Sequence, residues 1–327
     1  MTHGRPHPGF PTGWFQVGWS YELAAGDVRP LYYFGQHLAL WRTKQGTPHL
    51  TSGYCPHLGT SLGHGGQVEN DALVCPMHGW HWDGAGRNVR IPYEDSVSPA
   101  CLPTWQLREA DGFLWAWYSS SGGPPTWEPP RLPEASESRY HDIDADTTRI
   151  WSAVSVHPQV IVETSADEAH NPVLHRASPD WRIEGFSSDD VRFETVHRFT
   201  FGNRRSRLTP DGPVDSTLTQ AYWGIGLGVN WFRGGVTSTF VQTQTPIDND
   251  RLDIRGTVFA ERADTSDRPT GFARKWIDME WLQMDRHLEI WETMRYVATP
   301  PLTTSEAAPQ LALREWAGQF YESRDHS

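Results

Sequence analysis

Four residues in two short arms carry the clearest chemistry of the chain. Cys55-Pro56-His57 and, after seventeen intervening residues, Cys75-Pro76-Met77-His78 each offer one thiolate and one imidazole. A zinc finger usually takes two cysteines from one arm and two histidines from the other. A mixed pair in each arm instead suits a 2Fe–2S cluster with two cysteines on one iron and two histidines on the other. A structural zinc site is the competing use of the same side chains. Gly59, Gly63, Gly65, Gly66 and Gly79 allow tight turns that can aim N–H groups at sulfides, and Pro56 and Pro76 stiffen the arms.

A second loaded segment runs from Glu163 to His175. In a helix over 160–170, Glu163, Asp167 and His170 fall on one face. Asn171-Pro172 should end that helix, because the residue before a proline avoids the α region. Without such a break, His175 would point about 140° away from His170. Two histidines and a carboxylate on one side of a metal leave open positions, the arrangement of non-heme Fe(II) oxygen chemistry. The third ligand must come from elsewhere. The long helical pattern from Gly271 to Tyr296 is the candidate source, with five acids on it: Asp278, Glu280, Asp285, Glu289 and Glu292. Periodicity alone does not choose among them.

The elements that must hold these residues are of two kinds. Trp14–Trp19, Pro30–Phe34, Leu38–Trp41, Trp105–Arg108 and Phe113–Trp117 read as short strands, with turns at Gly26-Asp27, Gly35-Gln36, Gln45-Gly46 and Asn70-Asp71. This is an all-β module over 11–120. Residues 121–134, rich in Gly and Pro, form a linker, and 135–327 make a second domain holding the histidine segment and the long helix. Within it, Ala221–Trp231 reads as a strand with Trp223, Ile225, Leu227, Val229 and Trp231 on one face. Gly224, Gly226 and Gly228 line the other face, a bare floor for a flat apolar substrate. Plain sheet curvature is the alternative reading.

Composition narrows the field. The net charge of −12 over 327 residues leaves no basic stripe for nucleic acid. No apolar run approaches the ~18 residues of a membrane span, and Met1–Pro8 has no signal-peptide core. Three cysteines are too few for a disulfide framework and fit a reducing, cytoplasmic setting, with Cys101 expected to be buried. Seventeen tryptophans suit an apolar ligand cavity and subunit interfaces.

With both motifs in view, the chain resembles the catalytic subunits of Rieske-type non-heme iron oxygenases over about Pro11 to Tyr321. Cys-x-His, seventeen residues, then Cys-x2-His matches the cluster motif, and Glu-x3-Asp-x2-His-x4-His at 163–175 matches the iron motif. Tyr54–Gly59, Cys75–Trp80, Thr245–Asp248, Gln283–Trp291 and Trp316–Tyr321 look most like the branch holding 3-ketosteroid 9α-hydroxylase and the cholesterol 7-desaturases. The chain departs from it at Met77 and in a short C-terminus.

The resemblance implies an α+β protein, an all-β Rieske domain followed by a helix-grip (START-like) domain with an antiparallel sheet and a long C-terminal helix. It implies a Rieske 2Fe–2S cluster on Cys55, His57, Cys75 and His78, and a mononuclear Fe(II) on His170, His175 and Asp285. Asp167 would bridge the two centres between subunits of a head-to-tail homotrimer, facing His57 or His78, with Glu163 as its supporting neighbour. Electrons would come from NADH through a separate reductase, with or without a ferredoxin, and O₂ would be co-substrate. The expected activity is a monooxygenase or desaturase oxidising a C–H bond of a hydrophobic, polycyclic, steroid-like molecule. The alternatives are hydroxylation or O/N-dealkylation of a non-steroid natural product or aromatic, and a Rieske electron-transfer protein without oxygenase activity. A colourless zinc-stabilised binding module is a third rival.

Overall fold

The computed structural model describes residues 9–205, 209, 211–262 and 264–321. The Met1–Pro8 segment therefore lies outside the described residues.

The first part of the chain is built from short strands joined by tight turns. They are β1 (Gly13–Trp19), β2 (Val28–Tyr33), β3 (Gln36–Arg42), β4 (Pro48–Ser52), β5 (Gln67–Glu69), β6 (Ala72–Val74), β7 (His81–Asp83), β8 (Asn88–Arg90), β9 (Thr104–Trp105), β10 (Leu107–Ala110) and β11 (Phe113–Tyr118). They form three antiparallel sheets, ordered β1-β11-β10, β2-β3-β4-β9 and β5-β6-β7-β8. The β5–β6 hairpin turns at Asn70, whose φ of 53° is one that asparagine tolerates better than most residues. Cys101 is exposed rather than buried: it sits on the isolated bridge to Arg87, and it is the next residue, Leu102, that enters the core.

The second part has β12 (Thr148–Val154), α1 (Pro158–Glu163), α2 (His170–Leu174), β13 (Arg182–Ser188), β14 (Arg192–Phe201), β15 (Val214–Trp223), β16 (Leu227–Arg233), β17 (Ser238–Pro246), β18 (Leu252–Ala260), α3 (Gly271–Trp291) and α4 (Thr304–Gly318). The strands make one seven-stranded antiparallel sheet, β12-β18-β17-β16-β15-β14-β13. Every residue of β17 and β18 is buried. Both faces of these central strands are covered, so they read as continuous rather than alternating. On one face, Phe240 and Ile254 pack with Trp276, Ile277 and Trp281 of α3. On the other, Leu227, Val229 and Val241 pack with Trp14, Trp19 and Trp115 of the β-module. Much of the tryptophan content is spent on this seam.

Polar contacts fix the seam's register. Thr243 Oγ1 and Thr245 Oγ1 donate to Gln16 Oε1 and the Gln16 carbonyl, at 2.9 and 2.6 Å. Arg255 Nη2 donates to the Tyr33 hydroxyl, which donates to Asp253. The stretch between β11 and β12 is also tied down. Trp14 Nε1 donates to the Trp127 carbonyl, and Trp231 Nε1 and Thr239 Oγ1 donate to buried Glu134.

The glycine-rich run is not one strand. β15 ends at Trp223, the chain turns at Gly224, with φ of 57°, and β16 starts at Leu227. A Cβ on Gly226 would lie 2.3 Å from the Trp14 carbonyl oxygen, so this glycine lets the hairpin touch the β-module. A Cβ on Gly228 would meet the Tyr222 ring at 2.6 Å. None of the three glycines lines the large cavity, and the expected bare floor is absent: the space above Gly228 is filled by tyrosine.

Candidate functional site

The two cluster arms fold as near-copies. In each, a glycine N–H returns to the cysteine carbonyl four residues earlier, Gly59 to Cys55 at 2.9 Å and Gly79 to Cys75 at 3.0 Å. The cysteine N–H in turn donates to the carbonyl five residues on, Thr60 or Trp80, both at 2.9 Å. Gly59 and Gly79 have φ of 74° and 69°, which closes the turn. The pairing brings Cys55 and Cys75 into the module interior as free thiols, and burial raises the Cys55 thiol above its usual range. His57 and His78 stand half-buried at the tip, ring centroids 4.8 Å apart, with His57 stacked on Trp80 at 4.3 Å. The buried Nδ1 of His57 has no hydrogen-bond partner. Two inward thiols and two outward imidazoles, one nitrogen still unsatisfied, fit a 2Fe–2S cluster of mixed ligation.

In the second part, the expected single helix is broken. α1 stops at Glu163, a 3₁₀ turn covers Thr164–Ala166, and Asp167 is extended at φ −111° and ψ 105°. α2 then begins at His170. The break thus comes before His170, not at Asn171-Pro172. Pro172 sits in the first turn of α2, where its missing N–H costs no intrahelical bond. Glu163 consequently faces away from the histidines. It accepts from Arg314 Nη2 of α4 at 2.8 Å and from Gln159 Nε2 at 3.0 Å, tying α1 to α4. Asp167 Oδ2 lies 3.4 Å from His170 Nδ1, and its Oδ1 accepts from the Ala169 and His170 N–H groups. Burial acts to raise the Asp167 carboxyl, but these contacts outweigh it and hold it below the usual carboxylate range.

His170, His175 and His287 each bring a ring nitrogen to one point, all within 4.8 Å of one another. Asp285 does not take part. Its carboxylate accepts from Trp151 Nε1 at 2.8 Å and from Arg149. The reason is helical geometry: residues 285 and 287 of α3 are about 200° apart around the axis, so only one can face the histidines. The face that does runs through Trp276, Glu280, Gln283, His287 and Trp291, spaced at three and four residues, and all line the same cavity. That spacing was readable, but a search restricted to acids passes over His287.

The surroundings prepare all three rings as ligands. Gln283 Oε1 accepts from Arg286 Nη1, which can only donate, so it accepts from His175 Nδ1 as well, at 2.7 Å. The proton of His175 is thereby held on Nδ1, and Nε2 presents its lone pair 2.8 Å from His287 Nε2. Burial, helped by nearby His170, presses His175 down to about 4. Burial and the two other histidines push His287 down to about 2. Neutral imidazole is the form that binds metal. Trp291 stacks on the His287 ring at 4.6 Å and fixes its plane. The buried Nδ1 of His170 faces the Asp167 carboxylate at 3.4 Å. Three imidazole nitrogens at a cavity wall fit a divalent transition metal with open positions.

The cavity holds about 590 Å³ and is walled by Trp181, Phe199, Phe201, Leu218, Phe232, Phe240 and Met284, among others. That is the size of a pocket for a sizeable small molecule. His197 braces one wall: Trp181 Nε1 donates to its Nδ1, so Nε2 carries the proton and bonds the Ser165 carbonyl at 3.1 Å.

A cluster cradle on an all-β module, followed by a sheet-and-helix domain with a metal-binding histidine group, defines a Rieske non-heme iron oxygenase. Comparison with known proteins agrees. The family described as "Rieske [2Fe-2S] domain" matches residues 13–106, and that described as "3-Ketosteroid 9alpha-hydroxylase C-terminal domain" matches residues 116–321. The chain belongs to the Rieske oxygenase family that carries this C-terminal domain. Among its relatives, cholesterol 7-desaturase of Caenorhabditis elegans is 29% identical, over 97% of this chain and 78% of the relative. The oxygenase component of 3-ketosteroid-9-alpha-monooxygenase of Rhodococcus rhodochrous is 26% identical, over 95% and 81%. A crystal structure of dicamba monooxygenase bound to dicamba shares the fold, with a TM-score of 0.73 at 18% identity over 95% of this chain and 97% of that one.

Proposed function

We propose that this protein is the oxygenase component of a multicomponent system that oxidises a C–H bond of a hydrophobic, steroid-like polycycle. The observation that carries the reading is the convergence of His170, His175 and His287 on the wall of a large, mostly apolar cavity. The relatives named for cholesterol desaturation and ketosteroid oxygenation support the substrate class. Iron held by the three histidines, supplied with electrons from the cluster on Cys55, His57, Cys75 and His78, would provide O₂ activation. Gln283 orients His175, Trp291 holds the plane of His287, and the aromatic walls exclude water from the bound substrate.

Electron delivery between subunits of a head-to-tail trimer is part of the proposal. Both cluster histidines reach the surface of the module, and Leu58 and Met77 beside them are 67% and 63% exposed. At the other centre, Asp167 is partly exposed and Val173 is 82% exposed. Apolar residues left bare at both sites suit a contact that brings one subunit's cluster to Asp167 of the next. A separate NADH-dependent reductase, with or without a ferredoxin, would reduce the cluster. No helix among the described residues is long and apolar enough to cross a membrane.

The test is turnover with a surrogate reductase, NADH and a panel of sterols and steroids. The reading expects O₂ consumption coupled to a product heavier by one oxygen atom or lighter by two hydrogens. Cluster reduction without O₂ uptake on any substrate would favour electron transfer alone.

A further inference from the structure

The cavity contains polar groups that the metal site does not use. Glu280 is only 6% exposed, lines the cavity, and has no hydrogen-bond or ion-pair partner among the described residues. Trp276 Nε1 and Gln242 Nε2, on the same cavity, are also buried without partners. An unpaired buried carboxyl lowers stability, so its presence in an otherwise well-packed helix calls for a ligand. Glu280 stands one turn from Trp276 and two turns from His287 on the cavity face of α3, a separation of about 10 Å along the axis. The pocket is therefore a ruler with a metal-binding end and a hydrogen-bonding end.

We infer that Glu280 is a specificity-determining residue that hydrogen-bonds a hydroxyl or carbonyl oxygen carried on the substrate, about 10 Å from the position presented to the metal. Burial raises the Glu280 carboxyl to about 8, with no cation close enough to offset it, so at neutral pH it keeps its proton and can donate. The unpartnered indole and amide N–H groups are donors too. Donors call for an acceptor oxygen; a cationic amine would find only the one carboxyl. The inference rests on the polycyclic reading above only for its choice of probes.

The experiment uses the full chain with both centres loaded. Four probes sharing one skeleton are titrated calorimetrically: 5α-androstane, its 3β-alcohol, its 3-ketone and its 3β-amine. The alcohol, the ketone or both should bind about tenfold more tightly than the bare hydrocarbon, the value of one good hydrogen bond in a buried site. Glu280→Leu should abolish that preference and leave hydrocarbon binding unchanged, while Glu280→Gln, still able to donate, should retain it. Thermal unfolding without any probe gives an independent readout. Removing an unpaired buried carboxyl should raise the Tm of Glu280→Leu by about 2–4 °C. Equal weakening of all four probes, tightest binding of the amine, or a lower Tm in Glu280→Leu would each overturn the inference. If wild-type protein binds none of the four, the polycyclic reading falls, and the direction of the Tm shift still decides whether Glu280 is held for a ligand.

Discussion

Nε2 of His175 lies 2.8 Å from Nε2 of His287. With His170 they make a donor set of three imidazoles where two histidines and a carboxylate were expected. A metal ion held by neutral donors keeps its whole positive charge, so the open positions should favour anionic ligands more than a carboxylate-ligated site does.

Gln283 fixes which nitrogen of His175 faces the metal. Gln283→Leu removes the acceptor for Nδ1–H and frees the ring to rotate. Affinity for the mononuclear metal should fall about 10- to 100-fold, with the cluster's visible absorption unchanged. Metal analysis after dialysis against a weak chelator measures this. Full retention of metal would show that Gln283 is not a positioning residue.

The hairpin at Gly226 should be intolerant of any side chain. Gly226→Ala places a carbon 2.3 Å from the Trp14 carbonyl oxygen and must push the hairpin off the β-module. The expected cost is about 1–3 kcal/mol by denaturant unfolding, without loss of either metal centre. An unchanged midpoint would mean that the seam yields easily.

Tyr33 links the β-module to β18. Its hydroxyl, kept protonated because burial drives it up to about 12, donates to Asp253 and accepts from Arg255. Tyr33→Phe leaves two buried charged groups 3.9 Å apart without the group between them. A loss of about 1–3 kcal/mol is expected from the same unfolding measurement.

His197 sets a pH limit on stability. Burial lowers it to about 4 from an ordinary value near 6.5. Between those values the unfolded chain binds the proton and the folded chain does not. The stabilisation is therefore complete above about pH 6.5 and is lost as pH falls towards 4. The drop attributable to this residue is about 3 kcal/mol. Unfolding profiles of wild type and His197→Gln across that window should differ in slope, the variant being flatter; parallel profiles would exclude the effect.

Much of this architecture was legible in the chain. Period-two strands and their turns predict the β-module, and the periodicity of Trp276, Trp281, Met284 and Trp291 predicts α3. Less legible was anything that depends on where a helix begins or which way it faces. A helix over 160–170 is a fair reading of those residues, but buried Ser165 bonds back to Val162 and Asp167 caps the Ala169 and His170 N–H groups, so the chain breaks there. The alternation at 221–231 is real for Leu227, Val229 and Trp231, yet Gly224 takes a positive φ and converts the run into a hairpin. Asp285 and His287 differ by two positions, and only the face shared with Gln283 and Trp291 tells them apart.

The central claim is the identity of the third ligand, and metal content tests it most directly. Wild-type protein should contain three irons and two labile sulfides per chain. His287→Ala should lose one iron and keep the cluster's absorption, and Asp285→Ala should keep all three irons. Loss of the mononuclear iron in Asp285→Ala with full retention in His287→Ala, or zinc in place of iron at the three histidines, would contradict the account.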